Sequence, residues 1–299
     1  MGVRVLLLGA TGLLGSELKA ALQPMGEVIA PTRVELDLSR AAEVEARALA
    51  IQPDLIVNAS AQADVDRAEL EREMTQAVNV DAVAALGRAA SRAGVPIVHV
   101  STDYVFAGDK GAAYVETDPP GPLSHYGATK LAGEEALLAI DADAVVLRTA
   151  WLIGRSPRSF VSRMLALAAT RDVLEVADDQ SSSPTSVIEL SRIVVAVARR
   201  LLEAHPGERD ALRGVYHAAG AGAATRVDLV RAALELSPRR AQLRAREVVP
   251  VSGDRFPRAA SRPRHTPLST EKLRATFHVD LLPWREGLAR ALAEPETRA

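Results

Sequence analysis

The chain has 299 residues, of which 48% are hydrophobic and 25% are charged, and its formal net charge is -2. This composition is typical of a soluble globular protein, and a nearly neutral chain gives no general reason to expect nucleic-acid binding. The chain contains no cysteine, which excludes disulfides, thiolate metal sites and cysteine nucleophiles.

The first apolar run, VRVLLLG, is short and is followed directly by a glycine-rich turn and an amphipathic pattern. It predicts a first buried strand rather than a signal peptide. No segment approaches the ~20 consecutive apolar residues of a membrane span. We therefore expect no membrane association and a cytoplasmic location.

Short apolar runs alternate with helical patterns through the first half of the chain. The runs VRVLLLG, EVIA, DLIVNAS, PIVHVS and AVVLRTAW predict strands. The patterns between them predict helices ending at Leu22, spanning about 39–51, ending near Gly94 and starting near Ser124. Nearly continuous apolar strands separated by helices predict a parallel sheet covered on both faces. The expected fold is a doubly wound α/β (Rossmann) domain.

The pattern changes after Trp151. We predict helices over about 160–169 and 187–203, a strand at GVYHAAG, a loop at DDQSSSPTS, an exposed helix at RRAQLRARE and a last helix after Trp284. This order predicts a dinucleotide-binding domain over 1–150 with a return segment at about 187–219. A second, smaller α/β substrate lobe is expected over 151–186 and 220–299.

The motif GATGLLG lies between the first strand and the first helix. Its glycines, Gly9, Gly12 and Gly15, would let the backbone approach a pyrophosphate at the helix N-terminus. A glycine triplet alone is equally compatible with a structural turn, but this position favours a nucleotide site.

The end of the second strand indicates which nicotinamide cofactor is bound. An acid there would bind the ribose 2'-hydroxyl of NAD, whereas a base suits the 2'-phosphate of NADP. The sequence IAPTRVELDLS offers Thr32 and Arg33 before any acid, which favours NADPH. Glu35 keeps NADH possible.

Polar residues follow the next two strands. The segment 58–66 (NASAQADVD) and the residues Thr102, Asp103 and Tyr104 come directly after these strands. Open α/β sheets bind ligands at the carboxyl ends of their strands, so these residues are expected near a cofactor. Such residues are otherwise caps or turns.

The stretch PLSHYGATKLAGEEAL places Tyr126 four residues before Lys130. In a helix that begins near Ser124 the two side chains share one face. The chain has only four lysines among 36 basic residues, so this pair is rare by chance. An ammonium is a compact charge that can lie close to a phenol. A surface tyrosine beside a solvated lysine is the alternative.

These motifs together resemble the extended short-chain dehydrogenase/reductase family over nearly the whole chain. The resemblance rests on GATGLLG, LDLS, PDLIVNAS, STDYVF, YGATKLAGE, LRTAWLIG, DDQSSSPT, GVYHAAG and LSTEKL. STDYVF together with YGATKLAGE is specific to the branch that reduces nucleotide sugars, whereas the glycine motif identifies only the superfamily.

The resemblance implies NADPH-dependent reduction of the C4 keto group of a nucleotide-activated 6-deoxyhexose, in the first place dTDP-4-dehydro-L-rhamnose to dTDP-L-rhamnose. Tyr126 would protonate the C4 oxygen as hydride arrives from the nicotinamide, and Thr102 would polarise the carbonyl. Lys130 would favour the phenolate of Tyr126 and bind the nicotinamide ribose.

The same resemblance implies the binding residues. The residues expected to bind the cofactor are Gly9, Thr11, Gly12, Leu13, Leu14, Gly15, Arg33, Asp37, Leu38, Ala59, Ser60, Ala61, Asn79, Tyr126 and Lys130. The residues expected to bind the substrate are Val65, Asp103, Tyr104, Trp151 and Arg262. No metal is expected, and the protein would be a monomer or homodimer.

Several positions depart from the pattern of the family. They are Gln62, Ala63, Asp64, Ser124, His125, Ile153, Ser159, Ser182 and His265. Because several of these should face the sugar or its diphosphate, the reductase chemistry is better supported than the identity of the sugar. The six histidines lack metal-ligand spacing and are interpreted as structural or surface residues, except His125 and His265, which are candidates to line the substrate cleft.

Three alternative functions remain open. The first is the same chemistry on another nucleotide-deoxysugar. The second is epimerisation or dehydration with a recycled NAD, which the lack of an acid at Thr32 and Arg33 disfavours. The third is a non-catalytic NADP-binding regulatory subunit, against which the retention of Thr102, Tyr126 and Lys130 counts.

Overall fold

The computed structural model describes residues 2–279 and 281–293. Its strands are β1 (Val3–Leu8), β2 (Gly26–Ile29), β3 (Leu55–Asn58), β4 (Ile97–Thr102), β5 (Ala144–Thr149), β6 (Leu152–Ile153), β7 (Val173–Ala177), β8 (Ser181–Ser182), β9 (Thr185–Ser186), β10 (Gly214–His217), β11 (Ala224–Thr225), β12 (Glu247–Val251) and β13 (His265–Thr266). Its helices are α1 (Leu13–Leu22), α2 (Ala41–Ile51), α3 (Val65–Leu70), α4 (Arg72–Gln76), α5 (Ala82–Ala93), α6 (His125–Leu138), α7 (Phe160–Ala168), α8 (Val187–Glu203), α9 (Pro206–Arg209), α10 (Arg226–Leu236), α11 (Glu271–Phe277) and α12 (Trp284–Ala293).

A six-stranded parallel sheet forms the centre of the molecule, in the order β10-β5-β4-β3-β1-β2. Side chains of α1, α8 and α11 pack on one face, and side chains of α2, α5 and α6 pack on the other. The nearly continuous apolar strands are therefore buried on both sides, as the sequence predicts. The doubly wound α/β fold is confirmed.

The order of the strands reverses next to β1. From β1 the chain runs outward to β2, and it then returns to the other side of β1 as β3, followed by β4 and β5. The connections after β1 and β3 therefore diverge and leave a crevice at the carboxyl ends of the strands. Gly9 and Ala59, which follow these two strands, lie at this crevice.

Beyond β5 the chain forms several small sheets. β12 pairs with β7, β8 lies between β11 and β13, and β6 pairs with β9. The helices α7, α10 and α12 pack around these strands through two separate apolar clusters. α8 and β10 instead pack with the large sheet, next to α1 and β5 respectively. The exact division into two lobes stays a prediction. No helix in the described part of the chain is long and apolar enough to cross a membrane.

The structure differs from the predicted elements in three places. The segment DDQSSSPTS is not a plain loop, because it contains β8 and β9, which pair with strands far along the chain. RRAQLRARE is not a helix; it forms a short 3₁₀ turn at Arg240–Gln242 and then extends into β12. The helix predicted to end near Gly94 is broken once, because the non-helical backbone of Glu71 separates α3 from α4. A π turn then joins α4 to α5 without a break.

One buried ion pair attaches α6 to the sheet. Glu134 of α6 accepts hydrogen bonds from Arg148 of β5, with Nη2 to Oε2 at 2.7 Å, and from the hydroxyl of Ser101 on β4. Glu134 is 1% exposed and Arg148 is 5% exposed. Tyr126, Lys130 and Glu134 are spaced four residues apart on one face of the helix, so this attachment fixes where the first two point.

We expect Glu134→Gln to lower the free energy of unfolding by roughly 3 kcal/mol, because the buried guanidinium of Arg148 would lose its counter-charge. Urea denaturation measures this change. Glu135→Gln is the matched control, because Glu135 is the exposed neighbour and its substitution should stay within about 0.5 kcal/mol of the unsubstituted protein. Equal losses for the two variants would contradict the role of the pair.

Candidate active site

A cleft of about 920 Å³ opens at the carboxyl ends of β1 and β3. Most of the residues predicted to bind the cofactor line it, namely Gly9, Thr11, Gly12, Arg33, Asp37, Leu38, Ala59, Ser60 and Ala61. Leu13, Leu14 and Gly15 belong to the first turn of α1 behind the glycine loop. Asn79, Tyr126 and Lys130 lie outside this lining, toward α6.

The glycine loop fits a pyrophosphate. Gly9 has a φ of 81°, and a Cβ there would lie 2.7 Å from the carbonyl oxygen of Ala59, so a side chain is excluded. Gly12 caps α1 without any side-chain hydrogen bond. The first N–H groups of the helix are thus left for an anion, which the helix dipole also favours.

The base expected at the end of β2 lies at the edge of this cleft. The side chain of Arg33 is 74% exposed, and its Nε lies 3.8 Å from Oδ1 of Asp37. Glu35 is engaged elsewhere, because its carboxylate accepts hydrogen bonds from the N–H and the hydroxyl of Thr32 at 2.7 and 2.9 Å. These two bonds lower the pKa of Glu35. Arg33 therefore offers an exposed positive charge at this edge, whereas the carboxylate of Glu35 is bound to Thr32.

Asn79 joins the loop after β3 to α6. Its Oδ1 accepts from the backbone N–H of Gln62 at 2.8 Å, and its Nδ2 donates to the Gln62 carbonyl and to the hydroxyl of Thr129. Asn79 is completely buried. It therefore supports the site through these bonds, and its contact with a cofactor stays a prediction.

Thr102 and Tyr126 meet at the end of β4. Burial raises the pKa of the Tyr126 phenol above its usual value, and the nearby hydroxyl of Thr102 lowers it by a smaller amount. Gly127 permits this approach, because a Cβ at this position would overlap the carbonyl oxygen of Tyr104. The Tyr126 phenol consequently keeps its proton at neutral pH.

Lys130 is fully buried behind the tyrosine. Its Nζ donates to the carbonyl oxygen of Val100 at 2.8 Å and lies 3.1 Å from Nε2 of His99. Burial lowers the pKa of Lys130 to about 8, although Glu134 opposes this change. In this structure the ammonium does not produce a phenolate at Tyr126, so that part of the expectation stays a prediction.

The buried carboxylate of Asp103 joins side chains from three strands. Its Oδ2 accepts from the hydroxyls of Ser182 and Thr266 at 2.8 and 2.5 Å, and its Oδ1 accepts from Thr102 at 3.2 Å. These partners belong to β8, β13 and β4. Because both carboxylate oxygens are occupied, Asp103 supports a structural connection, and its role in binding substrate stays a prediction.

Arg226 is a residue that the sequence analysis missed. Its guanidinium carbon lies 3.7 Å from the ring centroid of Trp151 and 4.7 Å from that of Phe160, and its charge lowers the pKa of Tyr104, although burial raises this pKa overall. Trp151 has a φ of 39°, an uncommon conformation for a residue with a side chain. Arg226 starts an ordinary capped helix, α10, so no pattern in the sequence distinguishes it from the other arginines.

Arg262 connects two distant parts of the chain. Its Nη2 donates to Oδ2 of Asp66 at 2.8 Å, and the backbone N–H of Ala260 donates to Oδ1 of the same carboxylate. Val65, another residue predicted to bind substrate, is the first residue of α3 and precedes Asp66 directly. The two predicted substrate residues thus belong to one cluster.

The comparisons with known proteins agree with this arrangement. A family model described as the RmlD substrate binding domain matches residues 3–297. The chain belongs to this family.

Three of the similar proteins bear on function. The dTDP-4-dehydrorhamnose reductase of Sinorhizobium fredii is 36% identical over 96% of this chain and 96% of its own length. A probable dTDP-4,6-dihydroxy-2-methyloxan-3-one 4-ketoreductase of Streptomyces antibioticus is 37% identical over 98% and 95%. The crystal structure of the dTDP-4-dehydrorhamnose reductase of Bacillus anthracis in complex with NADP matches with a TM-score of 0.87 and 30% identity, covering 97% of this chain and 98% of that one.

Some departures from the pattern of the RmlD family have local structural roles. Asp64 caps α3 by accepting from the N–H groups of Asp66 and Arg67, and Ser124 caps α6 by accepting from the N–H of Gly127. The hydroxyl of Ser182 donates a hydrogen bond to the buried carboxylate of Asp103. These three substitutions are therefore explained by caps and by a buried hydrogen bond, without reference to a substrate.

We expect Asp103 to make stability depend on pH. Burial raises the pKa of Asp103 from 3.8 to about 6, so the folded state holds this proton more tightly than the unfolded state. The resulting stabilisation is full below pH 3.8 and is lost as the pH rises through about 6, a change on the order of 3 kcal/mol.

The Asp103→Asn variant has no carboxyl group at this position to gain or lose a proton. Its stability relative to the unsubstituted protein, measured by urea denaturation, should therefore improve between pH 4 and 7. Asp178→Asn, at an exposed carboxylate, serves as the control. A difference for Asp103→Asn that stays constant over this range would refute the raised pKa.

Proposed function

We propose that the protein is an NADPH-dependent nucleotide-sugar 4-ketoreductase, and that dTDP-4-dehydro-L-rhamnose is its first candidate substrate. The observation that carries the proposal is the pair formed by Thr102 and the protonated phenol of Tyr126, at the strand end next to the cleft. Reduction of a ketone needs a proton donor at its oxygen, and a phenol that is protonated at neutral pH can be that donor.

The residues of the cleft fit the cofactor. Gly9 and Gly12 leave room for a pyrophosphate at the N-terminus of α1, and Arg33 offers a positive charge for a 2'-phosphate. The complex of the Bacillus anthracis relative with NADP supports this choice. When bound, NADPH supplies the hydride.

The chain's own residues would supply the proton and orient the substrate. Tyr126 gives its proton to the C4 oxygen, and the hydroxyl of Thr102, close to the phenol, is the second polar group for that oxygen. Lys130, once protonated, stabilises the phenolate that remains. Tyr104 packs edge-on against Tyr126, with ring centroids 5.9 Å apart, and limits access of water to the reacting atoms.

Basic and aromatic side chains beside Tyr104 suit the rest of a nucleotide sugar. Arg226, Arg258 and Arg262 all lower the pKa of Tyr104 through their charges, although burial raises it overall. A diphosphate would be attracted to the same three charges. Trp151, stacked against Arg226, offers an apolar face for a deoxysugar.

A second candidate is the same reduction of another nucleotide-deoxysugar. The relatives from Sinorhizobium fredii and Streptomyces antibioticus are similar to this chain to almost the same degree, although their names give different ketosugars. Sequence identity therefore does not distinguish between the two candidate substrates. We further propose a cytoplasmic monomer or homodimer, which size-exclusion chromatography with light scattering would distinguish.

We expect Tyr126→Phe to reduce kcat for NADPH-dependent reduction of dTDP-4-dehydro-L-rhamnose by about 10²- to 10⁴-fold, because the general acid is lost. Loss of nicotinamide absorbance measures this rate. Tyr216→Phe is the matched control, because its hydroxyl donates to the Leu212 carbonyl inside the apolar core and its removal should leave kcat within about twofold. Equal activity of the Tyr126→Phe variant would contradict the role of Tyr126 as the general acid. Absence of turnover by the unsubstituted protein would favour a regulatory role, and activity only on another ketosugar would favour the second candidate.

We expect Arg33→Ala to raise the KM for NADPH about tenfold and to leave the KM for NADH nearly unchanged, since one charge-assisted contact with the 2'-phosphate would be lost. Arg92→Ala, on the exposed end of α5, is the control. A parallel rise of both KM values would contradict recognition of the 2'-phosphate by Arg33.

A further inference from the structure

A chain of hydrogen bonds extends from Lys130 away from the cleft. Nζ of Lys130 lies 3.1 Å from Nε2 of His99, and Nδ1 of His99 lies 3.1 Å from Nδ2 of Asn58. Asn58, His99 and Lys130 are each no more than 1% exposed. They belong to β3, β4 and α6, so the fold holds three polar side chains from separate elements in line.

Ser60 fixes the orientation of the Asn58 amide. Oδ1 of Asn58 accepts from the backbone N–H of Ser60 at 3.1 Å and from its hydroxyl at 2.5 Å. A backbone N–H can only donate, so the atom facing Ser60 is the amide oxygen. The amide nitrogen therefore faces His99.

This orientation determines the tautomer of His99. An amide nitrogen can only donate, so Nδ1 of His99 accepts and carries no proton. The neutral imidazole then has its proton on Nε2, which points at Nζ of Lys130. Burial and the charge of Lys130 both lower the pKa of His99, and so favour the neutral ring.

An N–H of His99 can be satisfied at Lys130 only by a lone pair, which an ammonium lacks. The uncharged amine has one lone pair, and it can still donate to the carbonyl oxygen of Val100. The other charged group that acts on Lys130 is Glu134 of the same helix, which favours the ammonium but is itself neutralised by Arg148 of β5. Tyr126 faces the same region with a neutral phenol.

We propose that Asn58 and His99 are positioning residues that set the protonation of Lys130, with the Nε2 proton of His99 favouring the uncharged amine in the free protein. Once Lys130 has lost its proton, above its lowered pKa of about 8, the phenol of Tyr126 faces no adjacent cation and keeps its proton. Uptake of a proton by Lys130 creates the cation that stabilises the phenolate after the phenol has given its proton away. This role in turnover rests on the proposed function, whereas the protonation of Lys130 and the tautomer of His99 do not.

Two spectra of the free, unsubstituted protein test the proposal directly. Long-range ¹H–¹⁵N correlation of the histidine rings should show His99 with a proton on Nε2 and a bare Nδ1. Because the chain has four lysines, ¹³Cε-labelled lysine gives few signals, and the signal of Lys130 should titrate at least about one pH unit below those of Lys19, Lys110 and Lys272. A proton on Nδ1, or a Lys130 that titrates with the other three, overturns the proposal.

Two variants test whether Asn58 and His99 set the protonation of Lys130. In His99→Gln the side-chain amide can turn its oxygen toward Lys130, and in Asn58→Asp the carboxylate can only accept, so that Nδ1 must carry the proton. Both changes favour the ammonium, so the midpoint of the Lys130 signal should rise by about one pH unit, and the fall of kcat at high pH should move up with it. His278→Asn, at an exposed imidazole, should change neither.

The outcomes separate the proposal from the proposed function. An unchanged midpoint in a folded variant, checked by circular dichroism, overturns the role of the pair. A uniform loss of kcat at all pH values without a shift of its profile also overturns it, because a merely structural contact would act in that way. Absence of reductase activity together with the expected spectra refutes the proposed function and leaves the assignment of Lys130 intact.

Discussion

The buried contact of Glu134 with Arg148 and Ser101 is the constraint on which the candidate site depends. A charged pair inside a protein needs good geometry and further hydrogen bonds to offset its desolvation. Here the pair lies between α6 and the middle of the parallel sheet, with a second strand supplying the hydroxyl of Ser101. The contact therefore fixes the rotation of α6 about its own axis and its position along that axis relative to the strand ends.

That single placement has several consequences along the helix. One turn before Glu134, Lys130 enters the layer between α6 and β4 and meets His99. One turn earlier still, Tyr126 reaches Thr102 at the end of the same strand. A rotation of α6 would separate both pairs at once. The spacing of four residues between Tyr126, Lys130 and Glu134 thus reflects the single helix face that packs against the sheet.

A second set of contacts joins the strand ends to the part of the chain after β5. Asp103 binds Ser182 and Thr266, and Asp66 binds Arg262. Both sets are partly or wholly buried and combine segments more than 70 residues apart. Asp103 and Arg262, which the sequence predicts to bind substrate, therefore also hold distant segments of the chain together, and a substitution at either will change stability.

Several features followed from the sequence by itself. The apolar runs determined the parallel strands, because strands buried on both faces must be apolar throughout. The glycine spacing determined the turn after β1, since Gly9 has a conformation and a neighbour that exclude a side chain. The scarcity of lysine and the four-residue spacing indicated that Tyr126 and Lys130 form one face.

Other features were decided only by the tertiary structure. Strands as short as β8 and β9 have no periodicity to detect, and they exist because β13, β11 and β6 supply their partners. Arg226 looks like any helical arginine until Trp151 and Tyr104 are beside it. His99 appears in sequence as an isolated histidine in an apolar strand, and its tautomer depends on Asn58, 41 residues away. The sequence determined local conformation and burial, whereas partners brought together by folding decided the protonation and the contacts of the site.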